Sequence, residues 1–204
     1  MNNRSLSVAG CALALTSLAF VCGCFPLTPM RVKNYVLETP GADVEQRTAA
    51  TIIVDAVDGR KPYMRQRMTV SPNEHVLEAY GRGAWAYSPA EMLGEILVTE
   101  LARRFTFVAP APCIVPDGKT FMVRVYIDAF DHVLRDRQWS AVMRIKYEVV
   151  DSLGRVVLPS TWFERTRPIS SGSTDAYVQA QDESIAEFID ALSGDLKRCV
   201  DTAS

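Results

Sequence analysis

Apolar residues between Pro89 and Arg104 recur at intervals of three and four, which predicts an amphipathic helix. The stripe consists of Met92, Leu93, Ile96, Leu97 and Leu101. Ser88 is a suitable N-cap, Pro89 a suitable first helical residue, and Glu91 a suitable partner for Ser88 in a capping box. Arg103 and Arg104 follow at the C-terminal end, where positive charge interacts favourably with the helix dipole.

A second amphipathic helix is predicted to begin near Asp175 and to run towards the end of the chain. Its apolar stripe consists of Ile185, Phe188, Ile189, Leu192 and Leu196. Two helices that are each apolar on one side need a common surface to cover.

Two segments, 120–130 and 140–151, alternate between apolar and polar residues with a period of two. One predicted buried face carries Val123, Val125, Ile127 and Ala129, and the other carries Ala141, Met143, Ile145, Tyr147 and Val149. This period is typical of antiparallel strands with one solvated face. The sequence Asp151-Ser152-Leu153-Gly154 predicts a hairpin turn after the second segment.

Shorter strands are predicted at 33–39, 50–57, 63–70, 75–80, 105–108, 155–158 and 162–167. Ser71-Pro72-Asn73 is expected to form a turn, and Gly81 and Gly83 are expected to interrupt a strand. The predicted fold class is therefore an α/β (α+β) sandwich, in which two main helices pack on a mostly antiparallel mixed sheet.

The 204 residues suffice for one domain with a sizeable core. With 48% hydrophobic and 23% charged residues, the composition is that of an ordinary globular protein. The net charge is -2, so the chain does not have the broad excess of positive charge that is typical of nucleic-acid-binding proteins. We therefore expect no nucleic-acid partner.

The N-terminus has the pattern of a secretory signal: Arg4 precedes a short apolar run from Val8 to Val21. That run is shorter than the about 20 apolar residues that a spanning helix needs. It ends in Val21-Cys22-Gly23-Cys24, which resembles a bacterial lipobox and implies that Cys24 is acylated and becomes the mature N-terminus. An ordinary cleaved signal and an uncleaved anchor are the alternatives.

These features divide the chain into a lipoprotein signal peptide (1–23), a membrane tether (24–32) and a single domain (33–204). Phe25 follows the modified cysteine, whereas an aspartate there would indicate retention in the inner membrane of enteric bacteria. We therefore expect a lipid-anchored protein of the outer membrane that faces the periplasm, and two or three acyl chains are enough for stable anchoring.

The sequence offers little material for catalysis, and we expect neither an enzyme nor a bound cofactor or metal. The two histidines, His75 and His132, are not in a metal-ligand spacing with each other or with cysteine. Asp128, Asp131 and His132 are close in sequence and are interpreted as a solvated strand end rather than as a metal or acid–base site.

Cys113 and Cys199 remain after Cys24 is assigned to lipid attachment. An oxidising periplasm permits a disulfide between them, which would close a long loop. Cys199 also continues the stripe of Leu192 and Leu196, where a buried free thiol is common. Both alternatives stay open.

Trp85, Tyr87 and Trp139 are candidates for a partner or cargo surface, because aromatic side chains line grooves for acyl chains and partner proteins. Core packing is the commoner role of such residues, and it is favoured for Trp85. Trp139 follows a charged and polar run, which favours a position near the surface.

Several short motifs occur in an order that resembles a known family. They are the lipobox, Tyr35-Val36-Leu37, Ile52-Ile53-Val54, the segment 62–68 (PYMRQRM), Tyr80, Ala84-Trp85-Ala86 with Pro89 and Met92-Leu93, and Asp151-Ser152-Leu153-Gly154-Arg155. The chain is similar in these motifs to the ABC-type transport auxiliary lipoproteins, the group that includes the paraquat-inducible PqiC-like proteins. Cys22 within the lipobox departs from the usual pattern.

The resemblance implies a docking or structural subunit that works with an MCE-domain protein and with an ABC permease and ATPase. Such systems are thought to move phospholipid or other hydrophobic cargo between the two membranes. Phospholipid binding and self-association are left open. The alternative function is that of an accessory lipoprotein in envelope assembly or secretion, such as a lipopolysaccharide-export or pilus factor.

Overall fold

The computed structural model describes residues 32–38, 41, 46–73, 76–113 and 119–203. Its strands are β1 (Lys33–Tyr35), β2 (Thr48–Val54), β3 (Asp58–Gly59), β4 (Arg67–Asn73), β5 (Val76–Trp85), β6 (Phe105–Pro110), β7 (Thr120–Arg135), β8 (Gln138–Asp151) and β9 (Val156–Ile169). Its helices are α1 (Pro89–Arg104) and α2 (Thr174–Thr202), and a 3-10 turn covers Lys61–Met64. The signal peptide, the lipobox and most of the tether predicted from the sequence lie outside the described residues.

The long strand β7 is the centre of the sheet, because both of its edges are paired. Along one edge β8 runs antiparallel to it, from Phe121 opposite Asp151 to Arg135 opposite Gln138. Along the other edge β2, β3 and β4 follow one another, all parallel to β7. Strand β9 extends the sheet beyond β8, β6 extends it beyond β2, and β5 and β1 extend it beyond β4.

Both helices cover the same face of this sheet. Helix α1 packs on β2 and β6, α2 packs on β8 and β9, and the two helices touch each other. Arg104 at the end of α1 joins them: it lies 2.7 Å from Asp190 and donates a 3.1 Å hydrogen bond to Ser193, both in α2. The long ladders are antiparallel and the parallel pairs are short, so the predicted α+β sandwich with a mixed sheet is confirmed.

Helix α1 begins with the predicted capping box. The Ser88 hydroxyl accepts the Glu91 N–H at 3.2 Å, and the Glu91 carboxylate accepts the Ser88 N–H at 2.8 Å. This reciprocal pair satisfies two backbone donors that the first turn leaves unbonded. Leu97 and Leu101 are fully buried on the predicted stripe.

Helix α2 begins at Thr174, one residue before the predicted start, with Ser173 accepting the Ala176 N–H at 3.2 Å. All five residues of its predicted stripe are buried. On the opposite flank Arg167 of β9 pairs with Glu183 and Glu187 of the helix, which holds the edge strand to the helix layer.

Two predicted interruptions of the strands are wrong. Ser71-Pro72-Asn73 is the end of β4 rather than a turn, and β5 continues through Gly81 and Gly83 to Trp85. A Cβ atom at Gly83 would lie 3.0 Å from the Met68 sulfur and 3.1 Å from a methyl carbon of Thr174. Glycine is thus required there for close packing inside a strand, not for breaking it.

The predicted apolar face of β7 holds as far as Ile127 and is wrong at Ala129. Ile127 pairs with Ile145 and Ala129 pairs with Arg144, so Asp128 is an extra residue in the ladder. Such a bulge reverses the alternation of the side chains that follow it. Phe130 is consequently buried in the core, whereas Ala129 lies on the other face of the sheet.

The buried stripe of α1 generates a stability prediction. We expect Leu97→Asp to lower the free energy of unfolding by at least about 3 kcal/mol, because it removes a fully buried side chain and puts a charge in its place. Thr99→Asp, at an exposed position of the same helix, is the matched control and should change it little. Urea unfolding followed by circular dichroism measures both. A folded Leu97→Asp protein of unchanged stability would contradict the packing described here.

Candidate functional site

The sheet face opposite the helices, here called the open face, carries charged and aromatic side chains on β7, β8 and β9. Arg124 and Glu148 form a cross-strand ion pair at 3.1 Å. Lys146 lies over the ring of Tyr126 at 6.0 Å. Part of the polar half of the alternation in β7 and β8 therefore forms ion-pair and cation–π contacts between neighbouring strands.

The bulge in β7 places a buried carboxylate on this face. Asp128 is only 7% exposed, and its Oδ1 atom lies 2.7 Å from Nη2 of Arg60. Its Oδ2 atom pairs with Arg144, whose guanidinium lies over the Trp162 ring at 5.9 Å. The side chains of Arg60 and Arg144 remain 56% and 41% exposed, so two guanidinium groups share one carboxylate and stay accessible to solvent.

Asp131 lies on the same face. Its carboxylate accepts hydrogen bonds from the Tyr63 hydroxyl and from the Thr69 hydroxyl, each at 2.8 Å. Burial raises the pKa of Asp131, although these two bonds and the nearby Arg60 and Arg144 act in the opposite direction. The pKa of Tyr63 is also raised, mainly by burial and then by the Asp131 charge. The group is thus a partly buried acid held in place by two hydroxyl donors.

A cleft of about 670 Å³ on the open face contains both of these groups. Arg60, Tyr63, Asp128, Asp131 and Arg144 line its polar part. Val76 and Leu77 at the start of β5, together with Val133 of β7, contribute apolar surface. This cleft is the candidate functional site.

His132 points away from the cleft, into the helix side of the sheet. It is fully buried between aromatic rings: the centroids of Trp139, Tyr177 and Tyr80 lie 4.3, 5.0 and 5.7 Å from its own. Neither ring nitrogen has a hydrogen-bond partner among the described residues. Burial lowers the pKa of His132 to about 4, so the ring is neutral at pH 7.

The interpretation of Asp128, Asp131 and His132 as a solvated strand end is therefore wrong. All three lie inside the 16-residue strand β7, and the bulge sends the acids and the histidine to opposite faces. In the described part of the chain, three His, Cys, Asp or Glu side chains do not come together in an arrangement suited to a metal ion.

The three aromatic candidates do not form one surface. Trp85 is 2% exposed and packs against Phe130 and Tyr177, which confirms the core position favoured from the sequence and removes it from the candidate partner or cargo surface. Tyr87 is 57% exposed just before α1. Trp139 is half-buried against His132.

Cys113 and Cys199 are free thiols in the structure, Cys113 half-buried and Cys199 buried on the stripe of α2. Of the two alternatives, the structure thus contains the free thiols and not the candidate disulfide. Cys24, the predicted site of acylation, lies outside the described residues.

Sequence reasoning did not identify Arg60 and Arg144 as site residues. Arg144 occupies a polar position in the alternation of β8, which the sequence indicates, but its partner Asp128 is set by the bulge. Arg60 lies far from Asp128 along the chain, and only the pairing of β3 with β7 brings the two together. Chemically, the cleft offers guanidinium donors, carboxylate acceptors and an apolar wall.

The model of a family described as "ABC-type transport auxiliary lipoprotein component" matches residues 35–193. A crystal structure of a DUF330 protein from Xanthomonas campestris has a TM-score of 0.74 at 18% identity, over 84% of this chain and 98% of that one. The structure of an uncharacterised protein has a TM-score of 0.63 at 12% identity, over 81% and 99%. Comparison with curated proteins gave no match.

The buried His132 generates a pH prediction. Its pKa is near 6.5 in the unfolded chain and about 4 in the fold, so between these values the unfolded chain binds more protons. The free energy of unfolding should therefore fall as the pH is lowered from 6.5 towards 4, by about 2.5 kcal/mol at pH 4.5. His132→Phe removes this contribution.

Urea unfolding of both proteins at pH 7 and pH 4.5 tests the prediction. Burial raises the pKa of Asp182 to about 6. Asp182 therefore changes the free energy of unfolding in the opposite direction, because its stabilising contribution is lost as the pH rises through that value. That contribution is present in both proteins and cancels in the comparison. Equal pH dependence of the two proteins would show that His132 is not a buried neutral ring.

Proposed function

The chain belongs to the family of ABC-type transport auxiliary lipoprotein components, and on this premise we propose that it is a non-enzymatic docking or structural subunit of an ABC/MCE-type system. This system would move phospholipid or other hydrophobic cargo across the cell envelope. The observation that carries the proposal is the family match, which extends over residues 35–193 and so over nearly the whole of the described fold.

The lipobox supports a lipid anchor on Cys24. Acylation there would fix the mature N-terminus in a membrane, and the short tether 24–32 would keep the folded domain near its surface. Phe25 after the cysteine favours the outer membrane, with the domain on the periplasmic side. Among the described residues, neither helix has the length and apolar character needed to span a bilayer.

The proposed partners are the MCE-domain protein and the ABC permease and ATPase of the same system. Self-association of the lipoprotein belongs to the proposal as well. A domain with an ion-paired open face on one side and a helix layer on the other has two chemically distinct surfaces for such contacts.

The lipid anchor is tested by Cys24→Ala. We expect the variant to leave the membrane fraction and to lose incorporation of labelled fatty acid, because the acylated thiol is gone. Cys22→Ala is the matched control: it changes the neighbouring cysteine, keeps Cys24, and should remain membrane-bound and labelled. Unchanged fractionation and labelling of Cys24→Ala would refute the lipoprotein assignment.

The transport assignment is tested by cross-linking in cells, followed by purification of the full-length lipoprotein and mass spectrometry of what is bound to it. We expect an MCE-domain protein and an ABC permease or ATPase, in amounts that fall in the unanchored Cys24→Ala variant. Recovery of a secretin or an outer-membrane barrel instead would favour the alternative function in envelope assembly or secretion.

A further inference from the structure

The cleft on the open face has a balanced charge. Of the described residues that line it, four are arginines and four are acids. A simple anion or a simple cation would be repelled by half of these groups, whereas a ligand with both charges would be matched by the lining.

The arginine side of the cleft fits a phosphate group. Arg60 and Arg144 share the single carboxylate of Asp128, so two guanidinium groups lie close together at that point. A guanidinium group presents paired N–H donors that match the oxygens of a phosphate, and both side chains are still about half exposed. Stacking of Arg144 over Trp162 restricts the directions in which its donors point.

The acidic side of the cleft fits an ammonium group. Glu164 of β9 lies directly opposite Arg144 in the ladder, is exposed, and forms no ion pair with another described residue. Its carboxylate is therefore adjacent to the arginine pair and available to a cation. Asp131, deeper in the cleft, is held by Tyr63 and Thr69 and adds a second acceptor.

The remaining wall of the cleft is apolar and lies at one end. Leu77 is 45% exposed there, next to Val76 and Val133. Strand β1 runs parallel to β5 and begins level with Gly83, so the N-terminal side of β1 faces the Val76 end of β5.

From these observations we propose that the cleft binds the headgroup of a zwitterionic, ethanolamine-type phospholipid. The phosphate lies against Arg60 and Arg144, the ammonium group lies against Glu164, and the first carbons of the acyl chains lie against Leu77. This inference rests on the proposed function, which supplies phospholipid as cargo, and it assigns that cargo a headgroup class and a place on the molecule.

Binding is measured on the full-length lipoprotein in a non-ionic sugar detergent, by calorimetry and by tryptophan fluorescence. The probes are dibutanoyl phosphatidylethanolamine, the corresponding phosphatidylglycerol and inorganic phosphate, all of them monomeric in solution. We expect the ethanolamine lipid to bind most tightly, the glycerol lipid more weakly because it lacks the cation, and inorganic phosphate most weakly because it lacks the apolar part as well.

Three variants separate the contacts. Arg144→Gln and, independently, Arg60→Gln should each weaken binding of the ethanolamine lipid about tenfold or more, because each removes a charge-assisted hydrogen bond to the phosphate. Glu164→Gln should abolish the preference for the ethanolamine lipid over the glycerol lipid without weakening the binding of the glycerol lipid. The matched controls are Arg124→Gln and Glu148→Gln, which remove a cross-strand ion pair on the same face but outside the cleft.

Three results would overturn the inference: no binding of either lipid, equal weakening by the control variants, or inorganic phosphate binding as tightly as the ethanolamine lipid. The last would identify the cleft as a site for free phosphate. Co-purification of the transport partners distinguishes failure of this inference from failure of the proposed function. If the wild-type protein and Arg144→Gln both retain the partners while the wild-type protein binds no lipid, the cleft assignment fails and the transport assignment stands.

Discussion

The structure depends on the pairing of β7 along both of its edges. This strand joins the antiparallel half of the sheet, β8 and β9, to the parallel segments β2, β3 and β4, and its apolar side chains belong to the core that lies beneath the two helices. A change in the direction of its side chains therefore changes the core and the open face together. The bulge at Asp128 is such a change.

Two unusual features of the molecule follow from this one extra residue. Beyond the bulge, Asp131 turns to the open face and His132 turns into the helix side. The open face thereby acquires a carboxylate pair with its arginine and hydroxyl partners, and the core acquires a neutral histidine stacked between aromatic rings. Bulges often redirect a side chain in this way next to functional sites, which is consistent with the position of the cleft.

Family membership and the cleft describe different aspects of function. Membership identifies the chain as an auxiliary lipoprotein of ABC-type transport. The lipobox indicates a place in the cell envelope, whereas the cleft offers guanidinium groups, carboxylates and an apolar wall for binding.

The sequence by itself determined the features that arise from neighbours in the chain. Helix α1 with its capping box, helix α2 with its stripe, the buried face of β8 and the Asp151–Gly154 hairpin could all be predicted, because three- and two-residue periods and capping partners are local signals. Only the tertiary structure decided the bulge, the passage of β5 through Gly83 and the meeting of Arg60 with Asp128. Each of these depends on a partner strand or a packed neighbour that is distant in the chain, and a local pattern holds no information about which distant residue will lie opposite.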